Sequence, residues 1–193
     1  MTDTPINLAI IIGSVRPGRA GEMVAKWFRD EAAKHDQFKI TVVDLADYPP
    51  PLIITNEPPA ELAPITEALE AADAFVVVTP EYNHSFPASI KSLIDWHYTQ
   101  WRGKPVGFVS YGGTASGQRA VEALRLVYAE MHAVTMRDYV SFGIYTGDFG
   151  GEDKLPADVE ASSTATKVLL DQLAWWALPL REARAKTPYQ VAF

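Results

Sequence analysis

The chain has no cysteine among its 193 residues, which excludes disulfides, a thiol nucleophile and cysteine-ligated zinc or iron–sulfur sites. Histidine is scarce as well. His35, His84, His97 and His132 show no ligand spacing such as two histidines on successive turns of one helix, so metal catalysis has little to stand on. No apolar run approaches the roughly 20 residues of a membrane span, and Met1-Thr2-Asp3-Thr4-Pro5 lacks the basic start and apolar core of a signal peptide. A cytoplasmic protein with no membrane partner is expected. Positive charge is also in deficit, with 17 Lys and Arg against 24 Asp and Glu, a net charge of −7, and no long basic cluster. Nucleic acid is therefore a poor partner.

What is present is an ordinary globular composition, 48% hydrophobic and 21% charged. The length suits one domain over residues 1–193, with an exposed tail from 186 to 193. Apolar runs of strand length alternate with helical patterns. Ile6 to Ile12 reads as a strand, Glu22 to Ala33 as a helix, and Lys39 to Asp44 as a second strand. Prolines 49, 50, 51, 58 and 59 make Ala46 to Pro59 a surface loop. Glu61 to Ala71 resumes a helix, Ala74 to Val78 is the third strand and Ile90 to Trp96 its following helix. Val106 to Ser110 is the fourth strand, Gln118 to Met131 a long helix, and Val134 to Phe142 the fifth strand. Gly143 to Asp158 is a long loop, capable of acting as a lid, and Ala161 to Leu180 the last helix. This alternation predicts an α/β fold: a doubly wound, three-layer sandwich whose parallel sheet is covered by helices on both faces. The last helix carries Val168, Leu169, Leu173, Trp175, Trp176 and Leu178, an apolar face broad enough for a subunit interface in a homo-oligomer or for capping the core edge.

Three strand-end loops carry the candidate chemistry, and in a doubly wound sheet such loops converge at one edge. The first, Gly13-Ser14-Val15-Arg16-Pro17-Gly18-Arg19-Ala20-Gly21-Glu22, combines glycines, a serine and two arginines at a helix N-terminus, a setting that favours a phosphate. The dinucleotide pattern Gly-x-Gly-x-x-Gly and the Walker lysine are both absent, so a single terminal phosphate fits better than a pyrophosphate. In the second, Thr79-Pro80-Glu81-Tyr82-Asn83-His84, Tyr82 offers an aromatic face and Asn83 a donor and acceptor for a planar heterocycle. Glu81 and His84 invite an acid and base assignment, although a solvated or turn-stabilising Glu81 explains the same residues. The third, Ser110-Tyr111-Gly112-Gly113, again sets a hydroxyl, an aromatic ring and bare backbone at a strand end. Each loop alone reads equally as glycine-rich punctuation. No Gly-x-Ser-x-Gly elbow supports a serine hydrolase.

Gly13-Ser14-Val15-Arg16-Pro17-Gly18-Arg19, then Pro80-Glu81-Tyr82-Asn83-His84-Ser85 with Pro87, Lys91, Asp95 and Trp96, then Ser110-Tyr111-Gly112-Gly113, together resemble the NADPH-dependent FMN reductase family of flavodoxin-like proteins. The resemblance spans roughly Ile6 to Phe142 and implies a five-stranded sheet in the order 2-1-3-4-5. It implies non-covalent FMN, with its phosphate held by Ser14, Arg16 and the amides near Gly21, Glu22 and Met23, and with Arg19 in the same loop. Pro80 to Asn83 and Tyr111 to Gly113 would flank the isoalloxazine. The family often has a small hydroxylic residue where this chain has Ala20-Gly21-Glu22, and often Asn in place of Ser92 and Gly in place of Ala88.

In this reading hydride passes from NADPH or NADH to flavin N5, and electrons leave to a small-molecule acceptor by ping-pong turnover. Backbone near Asn83 and Gly112-Gly113 would stabilise the reduced ring, with no catalytic side chain required. The alternatives are a flavin-binding electron carrier without nicotinamide turnover, and an interaction module that has lost its cofactor.

Overall fold

The computed structural model describes residues 4–150 and 153–190. Strand β1 (Ile6–Ile12) leads into helix α1 (Gly21–Ala32), and β2 (Phe38–Asp44) into α2 (Ala63–Ala71) through a 3-10 turn at Ala60–Leu62. Then follow β3 (Ala74–Pro80), α3 (Ala88–Trp96), β4 (Pro105–Gly112) and α4 (Gln118–Glu130). The short strands β5 (Val134–Thr135), β6 (Val140–Gly143), β7 (Phe149–Gly150) and β8 (Leu155–Pro156) precede the long helix α5 (Val159–Lys186).

The parallel sheet runs β2-β1-β3-β4-β5, as the family resemblance implies, with β6 also paired to β4. The central strands β1, β3 and β4 are buried along nearly their whole length and predominantly apolar, because both of their faces are covered. Leu8, Ile10 and Ile12 face a core built with Val24, Trp27 and Phe28 of α1 and Leu169, Leu170 and Leu173 of α5. Ala9 and Ile11 face the opposite core, shared with Leu69 of α2, Leu93 of α3 and Leu124 and Tyr128 of α4. The strand period of two thus divides one apolar run between two layers.

Two expected elements differ from their sequence reading. The predicted fifth strand, Val134 to Phe142, is broken into β5 and β6, although both parts lie parallel to β4. Met136 N still donates to Val106 O of β4, but the carbonyls of Met136 and Arg137 are taken by the Arg125 guanidinium of α4 instead of continuing the ladder. The last helix continues past Pro179 to Lys186, beyond its expected end at Leu180. An interior proline removes a donor and crowds the preceding turn. Here Arg181 and Arg184 anchor the following turns on Asp73, at 3.2 and 3.5 Å, and Arg184 also donates to the Gly103 carbonyl.

Of the predicted tail, Lys186 is helical and residues 187–190 are exposed, with the Tyr189 hydroxyl 3.0 Å from His132 Nδ1. The remainder of that tail lies outside the described residues. Loop 143–158 is not a single irregular span: β7 and β8 pair antiparallel, and Phe149 is buried edge-on against Trp27 and Phe142. Among the described residues no helix is long and apolar enough to cross a membrane.

Candidate functional site

The carboxyl ends of β1, β3 and β4 place the three loops around one cavity of about 320 Å³. Ser14, Arg16, Arg19, Pro80, Glu81, Tyr82, Tyr111, Gly112 and Gly113 line it, all of them anticipated from the sequence. The loops are held by backbone. Gly13 N donates to Val78 O, joining the first loop to β3, and Glu81 N donates to Tyr111 O, joining β3 to β4. Glycine at 112 permits this closeness, since a Cβ there would lie 3.0 Å from Gly117 N and 3.4 Å from Glu81 Cβ.

The two arginines of the first loop have different fates. Arg19 is largely buried, donates to Ser14 O at 2.6 Å, and pairs with Glu22 and Asp44 at 2.9 and 2.5 Å. Its charge is spent within the protein, which weighs against Arg19 as a phosphate ligand. Arg16 is exposed, with its guanidinium carbon 5.9 Å from the Tyr82 ring centroid. Ser14 is fully buried, and its hydroxyl lies 2.9 Å from that of Tyr82.

Tyr82 and Ser85 exchange both backbone hydrogen bonds across Asn83 and His84, whose φ angles are +49° and +73°. Positive φ at both central positions is the signature of a type I′ turn, and asparagine tolerates it well. Asn83 and His84 are therefore exposed at the tip of this turn rather than set in the cavity wall. Glu81 turns away from His84 and toward α4, accepting from Arg119 Nη1 at 3.0 Å and from the Arg119 amide at 3.3 Å. This geometry supports Glu81 as a brace and gives no acid and base pair.

Ser110 also serves the scaffold. Its fully buried hydroxyl donates to Ser116 O at 2.9 Å and fixes the third loop from below. Gly21 and Met23 belong to the first turn of α1, with Glu22 exposed beside Arg19. Glu22 and Met23 line a larger neighbouring groove of about 870 Å³, which meets the first cavity at Gly18, Arg19 and Ala20. The sequence reading did not single out Ile144 and Tyr145, which complete the cavity wall. Their signal was the long loop after the fifth strand; what was missing was the turn that brings its start back, with Ile144 N donating to Gly112 O.

The donor set fits a phosphate monoester carried on a planar ring. At one end Ser14, Arg16 and Ala20 stand in the cavity wall, and Ala20, as the N-cap of α1, offers no side-chain cap to the amides of the first turn. At the other end the backbone at Gly112 and Gly113 is bare. Tyr111 is nearly buried, and its hydroxyl has no hydrogen-bond partner among the described residues. Tyr128 and Thr166 also carry buried hydroxyls of this kind, but Tyr111 is the one of the three that lines the cavity, and a buried unpaired group asks for an explanation.

The family model for NADPH-dependent FMN reductases matches residues 6–147. The chain belongs to that family. It is 36% identical over 125 residues to a Schizosaccharomyces pombe protein named NAD(P)H-dependent FMN reductase, across 59% of this chain and 62% of that protein. It is 31% identical over 143 residues to a Pseudomonas putida quinone reductase, across 67% of this chain and 74% of that enzyme. The match thus spans somewhat less than two thirds of the fission-yeast relative's length. Among solved structures, the flavoenzyme NAD(P)H:(acceptor) oxidoreductase FerB from Paracoccus denitrificans superposes with a TM-score of 0.71 at 21% identity, covering 90% of this chain and 98% of that one. A flavodoxin from Pseudomonas aeruginosa gives a TM-score of 0.51 at 20% identity, covering 91% of this chain and 99% of that one. At these identities the two structures speak for the flavodoxin-like fold alone.

Proposed function

We propose that the chain is a flavin-dependent NAD(P)H oxidoreductase that binds FMN in the cavity of the three loops and reduces a small-molecule acceptor such as a flavin, quinone or azo compound. The observation that carries this reading is the convergence of a donor-rich first loop, the Pro80–Tyr82 segment and the bare Gly112–Gly113 backbone on one cavity, in a chain of the FMN reductase family. FMN held by these loops would supply the redox chemistry, accepting hydride from a nicotinamide and passing electrons to the acceptor. The protein's share is positional. Ser14, Arg16 and the α1 N-terminus bind the phosphate, while the loops after β3 and β4 orient the ring and leave one face for both substrates. Single-domain organisation over 1–193 belongs to this reading, as does a cytoplasmic location, where the pyridine nucleotide it draws on is found.

A homo-oligomer, dimer or tetramer, is part of the same proposal. Leu52, Ile53 and Ile54 stand exposed in one loop, and Trp175 and Trp176 are exposed on α5 with rings 5.0 Å apart. Neighbouring large apolar side chains left to water favour association. Two-substrate kinetics with NADPH and a quinone test the catalytic reading. Parallel reciprocal plots are expected, and a requirement for a ternary complex would contradict it.

A further inference from the structure

We propose that the Tyr111 hydroxyl is a phosphate-recognising donor in this site, supplying from β4 the side-chain hydroxyl that the first loop lacks at Ala20-Gly21-Glu22. The inference rests on the FMN reading above and deepens it, because it moves Tyr111 from the ring to the phosphate end.

The hydroxyl's position is fixed by its neighbours. A Cβ at Gly21 would lie 2.7 Å from the Tyr111 oxygen, so the phenol abuts the first residue of α1, and glycine is needed there to admit it. Ser14 and Tyr111 line the same cavity, and the hydroxyl of Tyr82 reaches the Ser14 hydroxyl at 2.9 Å. Three hydroxyls therefore gather where the α1 dipole and its side-chain-uncapped amides favour an anion. The carboxylates close to this point, Glu22 and Asp44, are both paired with Arg19 and do not oppose a second negative charge at full strength.

Tyr111 is only 6% exposed, and its oxygen completes no hydrogen bond of normal geometry among the described residues, although the Ser14 hydroxyl lies near enough to act on it. Leaving a buried donor unmatched costs stability unless a ligand completes it. Burial holds the phenol well above its ordinary pKa, with the nearby Ser14 hydroxyl acting in the opposite direction, so it remains a donor throughout the working pH range. A phosphate oxygen entering beside Ser14 would compete with the Tyr82 hydroxyl for that serine and accept from Tyr111. Tyr111 and Ala20 thus stand in a complementary relation: the loop carries no hydroxyl at Ala20-Gly21-Glu22, and the neighbouring strand end presents one.

The test is Tyr111→Phe, titrated with FMN and with riboflavin, which lacks the phosphate, alongside the melting temperature of the flavin-free protein. The expected result is FMN affinity weakened roughly tenfold, as for a lost hydrogen bond to a charged group. Riboflavin affinity should be unchanged, and the melting temperature equal to or above wild type. Restoring a loop hydroxyl with Ala20→Ser in the Tyr111→Phe background should recover much of the FMN affinity. Equal weakening of FMN and riboflavin, unchanged FMN affinity, or no recovery with Ala20→Ser would each overturn the proposal. A variant that folds poorly would overturn it as well, since it would show that the hydroxyl has a structural partner. Should wild-type protein bind no FMN, the functional reading fails and this inference with it; binding by wild type with no effect of Tyr111→Phe sinks the inference alone.

Discussion

Glu81 and Arg119 clasp the second loop to the start of α4: one carboxylate accepts from both the guanidinium, at 3.0 Å, and the backbone amide of Arg119, at 3.3 Å. The residue that most resembles a catalytic acid in the sequence is thus a brace between two walls of the cavity. Glu81→Gln retains an acceptor for the amide and should leave the rate of flavin reduction by NADPH at the wild-type level. Glu81→Ala should lower stability by about 1 kcal/mol, the scale of a half-exposed pair with an added backbone bond, and should loosen FMN. Stopped-flow reduction together with thermal melts distinguishes the brace from an acid, because an acid would lose reduction rate in the Gln variant.

The division of labour between the two arginines is equally open to measurement. Arg16→Ala should weaken FMN by about tenfold or more while leaving the flavin-free melting temperature unchanged, since Arg16 is exposed and its contact is the Tyr82 ring. Arg19→Ala should instead cost roughly 1–3 kcal/mol of stability, because it strips Asp44 and the Ser14 carbonyl of their partner. If the two variants exchanged these phenotypes, the assignment would be reversed.

His97 gives the fold a pH dependence of known sign. It is buried, with Nδ1 2.9 Å from Leu93 O and Nε2 2.9 Å from the Thr66 hydroxyl. Burial lowers its pKa below the ordinary 6.5, against smaller opposing effects of Leu93 O and Glu70. Below pH 6.5 the unfolded chain therefore binds a proton that the folded protein refuses, and stability falls until the folded-state pKa is passed. Melting temperatures from pH 8 to 5 should show this loss, and His97→Gln should have a shallower slope. An unchanged slope in the variant would assign the acid sensitivity to other groups.

Association is tested at two separate surfaces. Ile53 is 81% exposed and Trp175 67% exposed, so Ile53→Asp and Trp175→Asp place charge where a partner would dry the surface without disturbing the core. Sedimentation of wild type is expected above the 21.3 kDa of one chain, with at least one variant shifted toward it. A wild-type protein that sediments as a single chain at micromolar concentration would refute the oligomer.

The layer order and most of the cavity wall were legible because parallel strands buried on both faces leave unmistakable apolar runs, and because the residues after each run share one sheet edge. The interruption at Met136-Arg137 was not legible, since it depends on Arg125 reaching from α4 to two carbonyls. Nor was the extension of α5 through Pro179, which local propensity opposes and Asp73 rescues from the far end of the sheet. Within the site, residue type identified Arg19 and Asn83 as suited to a ligand. Only the three-dimensional neighbours reveal that Asp44 consumes one and that a turn carries the other to its exposed tip. Tyr111 was found for its ring, whereas the structure draws attention to its oxygen.

If the three-loop cavity holds FMN, a pyridine nucleotide should reduce it there. The most direct test is an anaerobic titration of FMN-loaded, desalted protein with NADPH, followed by visible absorbance. One bound flavin per chain is expected, bleached stoichiometrically by NADPH and restored on adding a quinone. Flavin lost on desalting, or retained flavin that NADPH fails to bleach, would contradict the FMN reading.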